Sequence, residues 1–169
     1  MNFRVPFEEM NYRSLSELTI GLVGFGEIGQ EIAKYCKAMK MTVNSVRRDT
    51  NTPKLAFVDN VFSVQNLSEC LKQCDYVCNV LPSTAATRGF FSGSVLESCK
   101  EKKTVFINIG RGDVVDEGSI LKALDNGWIG GAILDVYDVE PLPDSSPLWS
   151  HPKVTITPHI AGLTRAKQV

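Results

Sequence analysis

Three residues that lie far apart in the sequence, Arg111, Glu140 and His159, carry side chains that together could act on an anionic substrate. Histidine donates or accepts a proton near neutral pH. A carboxylate beside it would stabilise the protonated ring and keep it available as a general acid. The planar guanidinium of Arg111 could bind a carboxylate through two parallel hydrogen bonds. A histidine after a proline is otherwise a common turn residue, so this interpretation depends on the fold bringing all three together.

A second chemical signal is the glycine pattern Gly24-Phe25-Gly26-Glu27-Ile28-Gly29, which fits GxGxxG. It directly follows the apolar run TIGLV and precedes a segment of helical period, which is the context that a dinucleotide-binding turn requires. Gly24 would make the tight turn, Gly26 would let a pyrophosphate approach the backbone, and Gly29 would let the helix pack closely. The alternative is a glycine-rich turn without a ligand. We predict a dinucleotide site at the helix N-terminus.

The residues after the second apolar run indicate which dinucleotide binds. NAD sites place an acidic residue about 20 residues after the glycines, whereas an arginine there accommodates the 2′-phosphate of NADP. Here Arg47 occupies that position and Arg48 follows it, which favours NADP(H) and leaves NAD(H) possible. Asp49 would be the ribose-binding acid if the strand ran two residues longer. A solvated turn without a ligand is the remaining alternative.

Strands and helices that could position these residues alternate along the whole chain. We predict strands over residues 19–23, 42–46, 76–81, 104–109, 132–136 and 154–157. We predict helices over residues 28–39, 66–74, 95–99 and 116–126. One side of the first helix carries large apolar residues and one cysteine, namely Ile28, Ile32, Tyr35, Cys36 and Met39. This alternation predicts an α/β fold, a Rossmann-type doubly wound parallel sheet in three α/β/α layers.

The three polar residues then follow three different strands of the predicted sheet. Arg111 lies in NIGRG, Glu140 in DVYDVEP, and His159 in TPHIAG. Ligands of open α/β sheets bind outside the carboxyl ends of the strands. We therefore expect the three side chains to converge on the reactive end of the bound dinucleotide.

Composition excludes several other classes of protein. The chain has 169 residues, 43% of them hydrophobic and 22% charged, with a formal net charge of −1. Nucleic-acid binding usually needs a basic patch, and a membrane span needs about 20 apolar residues in a row. We expect a protein that binds neither nucleic acid nor membrane. The five cysteines show no metal-binding spacing, and we expect reduced core or surface thiols, with redox or metal chemistry as the alternative.

Four segments together resemble the D-isomer-specific 2-hydroxyacid dehydrogenases. They are GFGEIG, INIGRGDVVDEGSILKAL, GAILDVYDVEPLP and VTITPHIAGLT. The run EPLPDSSPLWSHPKVTITPH is most similar to the NADPH-dependent glyoxylate/hydroxypyruvate reductase branch. The resemblance extends over about residues 15–165 and implies reduction of a small 2-keto acid to a D-2-hydroxy acid.

The resemblance also implies roles for individual residues. Arg111 would bind the substrate carboxylate and polarise the ketone, His159 would protonate the new alkoxide, and Glu140 would pair with His159. Asp135 would hold the nicotinamide carboxamide. The residues implied in cofactor binding are Gly24, Gly26, Glu27, Ile28, Gly29, Arg47, Arg48, Leu81, Pro82, Thr87, Ile109, Gly110, Asp135 and His159. Arg88 is either a loop cation or a phosphate contact.

Family members are about twice as long as this chain and carry a second, substrate-binding domain. We therefore interpret residues 1–14 as part of an interdomain connection and residues 15–169 as the dinucleotide-binding domain, with the substrate domain absent. Such a chain is expected to bind NADPH and to turn over 2-keto acids weakly or not at all. The resemblance further implies a homodimer, and the cytoplasm is the expected location. The alternative function is a co-repressor-like protein that senses dinucleotides by dimerisation without catalysis.

Overall fold

The computed structural model describes residues 12–51 and 53–162, which form one seven-stranded sheet. All neighbouring strands are parallel, in the spatial order β3-β2-β1-β4-β5-β6-β7. The strands are β1 Thr19–Val23, β2 Thr42–Arg47, β3 Asn60–Ser63, β4 Tyr76–Asn79, β5 Val105–Asn108, β6 Gly131–Leu134 and β7 Val154–Ile156. The strand order reverses direction between β1 and β4, which confirms the predicted doubly wound Rossmann-type sheet.

Within the described residues, three α-helices connect these strands; α1 has the predicted length, whereas α2 and α3 are shorter than predicted. They are α1 Glu27–Ala38, α2 Leu67–Leu71 and α3 Glu117–Asp125. The predicted helix over residues 66–74 is α-helical only in α2, and Val95–Cys99 forms a 3-10 helix. The sequence analysis also missed β3, an edge strand of four residues without a buried side chain. None of the helices within the described ranges is long and apolar enough to cross a membrane.

The side of α1 that packs on the sheet only partly matches the predicted apolar side, since it shares Cys36 and the half-buried Ile32 with it. The buried residues of α1 are Gly29, Ala33 and Cys36, whereas Ile28 and Tyr35 are 65% and 68% exposed. Small side chains let a helix axis lie close to the strands beneath it, so they make the contact. Ile28 and Tyr35 consequently form an exposed apolar stripe along α1.

Two apolar clusters cover the two faces of the sheet, as a three-layer fold requires. One contains Leu22, Val43 and Cys78 beneath α1, and the other contains Phe106 and the residues packed under α2 and α3. All five cysteines are free and buried, in agreement with the expectation of reduced thiols. Burial raises the pKa of Cys78 to about 12 and that of Cys99 to about 11.

Candidate active site

The glycine turn after β1 is shaped by close contacts at two of its three glycines. Gly24 has a φ of +96°, and a Cβ there would lie 3.0 Å from the Val80 carbonyl carbon. A Cβ on Gly29 would lie 2.5 Å from the carbonyl oxygen of Gly24. A Cβ on Gly26 would meet nothing within 4 Å. Gly24 and Gly29 therefore allow the turn to fold, whereas Gly26 leaves its surface open to a ligand.

Gly26 opens into a cleft of about 860 Å³ at the carboxyl ends of β1, β2 and β4. This volume lies in the range of about 300–1,000 Å³ that is usual for small-molecule sites. The cleft adjoins the N-terminus of the twelve-residue helix α1, where unpaired N–H groups favour a phosphate. The open backbone, the helix N-terminus and the volume fit a bound dinucleotide.

Basic side chains line the cleft at the end of β2. Arg47 is the last residue of this strand, and Arg48 and Asp49 follow it along the cleft wall. The strand does not extend to Asp49, whose carboxylate accepts a hydrogen bond from the Asn51 amide at 2.8 Å. The strand therefore ends at Arg47, the residue that the sequence analysis placed at the position that distinguishes NAD from NADP sites.

The opposite wall of the cleft is made by residues 82–91, which we call the cleft loop. Pro82, Thr84 and Thr87 line the cleft together with Leu81, which precedes the loop. The Thr87 hydroxyl donates to the Pro82 carbonyl at 2.5 Å and thereby closes the loop on itself. The implied cofactor contacts that line the cleft are Gly24, Gly26, Arg47, Arg48, Leu81, Pro82 and Thr87. Glu27 and Ile28 are exposed on the first turn of α1 and do not line it. The others outside the cleft lining are Gly29, Ile109, Gly110, Asp135 and His159.

Glu140 and His159 are brought together although 19 residues separate them. His159 Nδ1 lies 2.7 Å from Glu140 Oε2, and the Tyr137 amide donates to Glu140 Oε1 at 2.9 Å. Burial opposes ionisation of Glu140, but these two hydrogen bonds and the charges of His159 and Arg111 outweigh it and lower its pKa. The Arg111 charge is the smallest of the causes that lower the pKa of Glu140.

Asp135 holds the segment that carries His159. Its carboxylate accepts hydrogen bonds from the Thr157 hydroxyl at 2.5 Å, the Ile160 amide at 3.0 Å and the Ala161 amide at 2.9 Å. Burial opposes ionisation of Asp135, but these hydrogen bonds lower its pKa overall. His159 itself has a φ of +54°, so its backbone needs this support. The sequence analysis attributed only a carboxamide contact to Asp135 and missed this function.

A pair of buried asparagines supports the turn that carries Arg111. Asn79 Nδ2 donates to Asn108 Oδ1 at 2.8 Å, and Asn108 Nδ2 donates to the Arg111 carbonyl at 3.1 Å. The Arg111 side chain donates to the Gly110 carbonyl at 2.6 Å. Sequence analysis missed these asparagines, although each ends an apolar strand, where a buried polar side chain needs a partner.

The segment between β5 and Arg111 packs against the strand end next to it. A Cβ on Gly110 would lie 2.7 Å from the Leu81 carbonyl oxygen, and Ile109 is half-buried. Gly110 therefore keeps the Arg111 turn close to the start of the cleft loop. The fold thus brings the cleft, Arg111 and the Glu140–His159 pair to one edge of the sheet.

Residues 4–161 match the model of the D-isomer specific 2-hydroxyacid dehydrogenase NAD binding domain. Similar solved structures include a probable 2-hydroxyacid dehydrogenase from Rhizobium etli in complex with NADP, HEPES and L(+)-tartaric acid. Its identity is 34% and its TM-score 0.83, over 90% of this chain and 49% of that one. The NADPH-dependent glyoxylate/hydroxypyruvate reductase from Sinorhizobium meliloti, in complex with NADP and sulfate, shows 33% identity and a TM-score of 0.83 over 90% and 48%.

Phosphoglycerate dehydrogenase from Lactobacillus plantarum is similar to the same degree. Its identity is 34% and its TM-score 0.86, over 97% of this chain and 51% of that one. The chain thus spans about half the length of these three relatives. Since their names differ in substrate at nearly equal identity, similarity alone does not select one substrate.

Proposed function

This chain belongs to the D-isomer specific 2-hydroxyacid dehydrogenase family, within its NAD binding domain, and from that premise we propose its reaction. The reaction is the NADPH-dependent reduction of a small 2-keto acid, of the glyoxylate or hydroxypyruvate type, to a D-2-hydroxy acid. The observation that carries the proposal is the 2.7 Å contact between Glu140 and His159, at the sheet edge that also holds the Arg111 turn and the cleft. None of these observations favours the co-repressor-like alternative.

When bound, the dinucleotide supplies a hydride to the keto carbon. The chain's own residues supply the rest of the chemistry. Arg111 binds the substrate carboxylate and polarises the ketone oxygen, on which negative charge develops. His159 donates a proton to that oxygen from Nε2, which makes no hydrogen bond within the described residues. Glu140 holds Nδ1 and stabilises the protonated ring.

Replacing His159 tests this mechanism, and the chain provides a matched control because His151 is its second histidine. His159→Asn should lower kcat for glyoxylate by about 10²–10⁴-fold, the usual contribution of a positioned general acid. His151→Asn should leave the rate unchanged, because His151 lies beyond the site at the end of the 3-10 helix Pro147–Ser150. Steady-state NADPH oxidation measures both variants. Equal rates for the two variants would contradict the proposal.

The proposal includes a preference for NADPH, with Arg47 and Arg48 binding the 2′-phosphate. Both residues line the cleft at the end of β2. A guanidinium binds a phosphate by two parallel hydrogen bonds, which a ribose hydroxyl cannot reproduce. Calorimetric titration should show NADPH binding at least about tenfold more tightly than NADH, a difference of 1.4 kcal/mol. A preference for NADH would assign the ribose contact to Asp49 instead.

The reaction also depends on polypeptide outside the dinucleotide-binding domain. We assign residues 1–14 to the interdomain connection and residues 15–169 to the dinucleotide-binding domain. The relatives are about twice as long as the matched region, so their remaining polypeptide could close the substrate side of the site and exclude water. Residues 15–169 alone should bind NADPH and turn over glyoxylate slowly. Turnover by these residues at the rate of a full-length relative would contradict this assignment.

A homodimer in the cytoplasm completes the proposal. The exposed apolar stripe of Ile28 and Tyr35 on α1, extended by Met39 directly after the helix, is a suitable surface for a second copy. Light scattering coupled to gel filtration should report twice the monomer mass. The five free cysteines are consistent with a reducing compartment, and imaging of the tagged protein in its own cells would test that location.

A further inference from the structure

Side chains of the cleft loop form hydrogen bonds with one carboxylate that the proposed mechanism does not use. Asp113 Oδ2 accepts hydrogen bonds from the Ser83 hydroxyl at 2.5 Å and from Arg88 Nε at 3.2 Å. Within the described residues, both side-chain hydrogen bonds that leave the cleft loop end on this oxygen. The backbone adds two more ties, because Gly89 donates to the Asp113 carbonyl and Phe91 donates to the Val114 carbonyl.

Asp113 also belongs to the turn that carries Arg111. The 3-10 turn Gly112–Val114 begins directly after Arg111. A Cβ on Gly112 would lie 1.8 Å from the Tyr137 carbonyl oxygen, so this turn is wedged against the segment that leads to Glu140. Because Asp113 lies on this turn, its hydrogen bonds fix the cleft loop at a set distance from Arg111.

The second oxygen of Asp113 argues against a purely stabilising function. Oδ1 is buried and accepts no hydrogen bond from the residues that the structure describes. Burying a polar atom without a partner costs free energy. We call this arrangement a clamp, because the other oxygen, Oδ2, accepts hydrogen bonds from both Ser83 and Arg88. The loop is also closed by its own hydrogen bond between Thr87 and Pro82.

We propose that Asp113 is a positioning residue that holds the cleft loop in its dinucleotide-binding position relative to the Arg111 turn. This inference rests on the proposed function, since it assigns the cleft to a dinucleotide. It also assigns Arg88, which the sequence left open between a loop cation and a phosphate contact. Arg88 is part of the clamp through its 3.2 Å contact with Asp113.

Asp113→Asn tests the inference because positioning and simple charge predict opposite signs. A dinucleotide is a polyanion, so removing a nearby negative charge should tighten its binding if only Coulomb interactions matter. If Asp113 positions the loop, the variant should bind NADPH about tenfold more weakly, which corresponds to 1.4 kcal/mol. Asp138→Asn is the matched control, since Asp138 is exposed, lies outside the cleft and loses the same charge.

Two additional variants separate the clamp from a general loss of structure. Asp113→Glu keeps the charge and the acceptor and should recover part of the affinity. Ser83→Ala should weaken binding alone but add little in an Asp113→Ala background, since both changes remove the same hydrogen bond. Additive effects, or NADPH binding by Asp113→Asn that is as tight as that of the unmodified chain, would overturn the inference.

A measurement without ligand distinguishes this inference from the proposed function. Amide hydrogen exchange across residues 83–90 should be faster in Asp113→Asn than in the unmodified chain and unchanged in Asp138→Asn. If the unmodified chain fails to bind NADPH, the proposed function is contradicted, while the exchange data still decide whether Asp113 holds the loop. Equal exchange in all three proteins would refute the clamp.

Discussion

The dinucleotide cleft and the Glu140–His159 edge are built by different kinds of interaction. The cleft depends on backbone packing, since a side chain at Gly24 or Gly29 would meet main-chain atoms within about 3 Å. The Glu140–His159 edge depends on carboxylates that accept hydrogen bonds, and its histidine side chain is 50% exposed. Steric changes should therefore damage the first region, whereas changes of charge and pH should damage the second.

The largest effect should come from filling the helix–turn contact in the cleft. Gly29→Val places atoms against the Gly24 carbonyl oxygen, which cannot move without breaking the turn. We expect a loss of about 3 kcal/mol in the free energy of unfolding, the upper end of the usual range for overpacking. Urea denaturation measures this loss.

Gly26→Ala is the control for that substitution. Its Cβ would meet nothing within 4 Å, so stability should fall by less than about 1 kcal/mol, as for an N-cap change. NADPH binding should nevertheless weaken, because the added methyl group projects where the ligand approaches. Equal stability of the Gly29→Val and Gly26→Ala proteins would remove the distinction between the two glycines.

Asp135→Asn should produce the next largest effect, confined to the Glu140–His159 edge. The amide group cannot accept all the hydrogen bonds that the carboxylate receives from Thr157, Ile160 and Ala161. We expect about 2 kcal/mol of destabilisation, the range for hydrogen bonds to a charged group. Hydrogen exchange at the Ile160 and Ala161 amides should accelerate while the glycine turn keeps its protection. Faster exchange in both regions would show that they are not independent.

Tyr137→Phe should have a smaller effect. The Tyr137 hydroxyl shares its hydrogen between the carbonyl oxygens of Leu134 and Thr157, each 2.8 Å away, and so links the ends of β6 and β7. Losing this link should cost about 1 kcal/mol. Tyr35→Phe serves as the control, because Tyr35 is exposed on α1. Thermal unfolding of the two variants gives the comparison, and equal transition temperatures would mean that the link does not stabilise the edge.

The smallest effect concerns the dependence of stability on acid. The pKa values of Asp135 and Glu140 lie below their ordinary values of 3.8 and 4.5. Groups with a lowered folded pKa stabilise the fold above their unfolded pKa and lose that contribution as the pH falls through the folded pKa. Stability should therefore decline below about pH 4.5, and Glu140→Gln should make that decline less steep. A Gly26→Ala protein should keep the original slope, and an unchanged slope in Glu140→Gln would contradict the assignment.

The sequence was most informative where a pattern is local. The turn from Gly24 to Gly29 follows β1 as predicted, and the strands were identified to within a few residues, except for the edge strand β3. The buried side of α1 was not evident, because hydropathy ranks large side chains as core residues. The contact with the sheet includes the predicted Cys36, but its other buried residues are the small Gly29 and Ala33.

The sequence by itself determined the types and order of the reactive groups, because each lies in a short motif at a strand end. Only the tertiary structure decided which groups meet. The contacts of His159 with Glu140, of Asp135 with Ala161, and of Asp113 with the cleft loop each join residues at least 19 positions apart. Such contacts depend on the register and order of the parallel strands, which place distant strand ends side by side. No local pattern in the chain records that order.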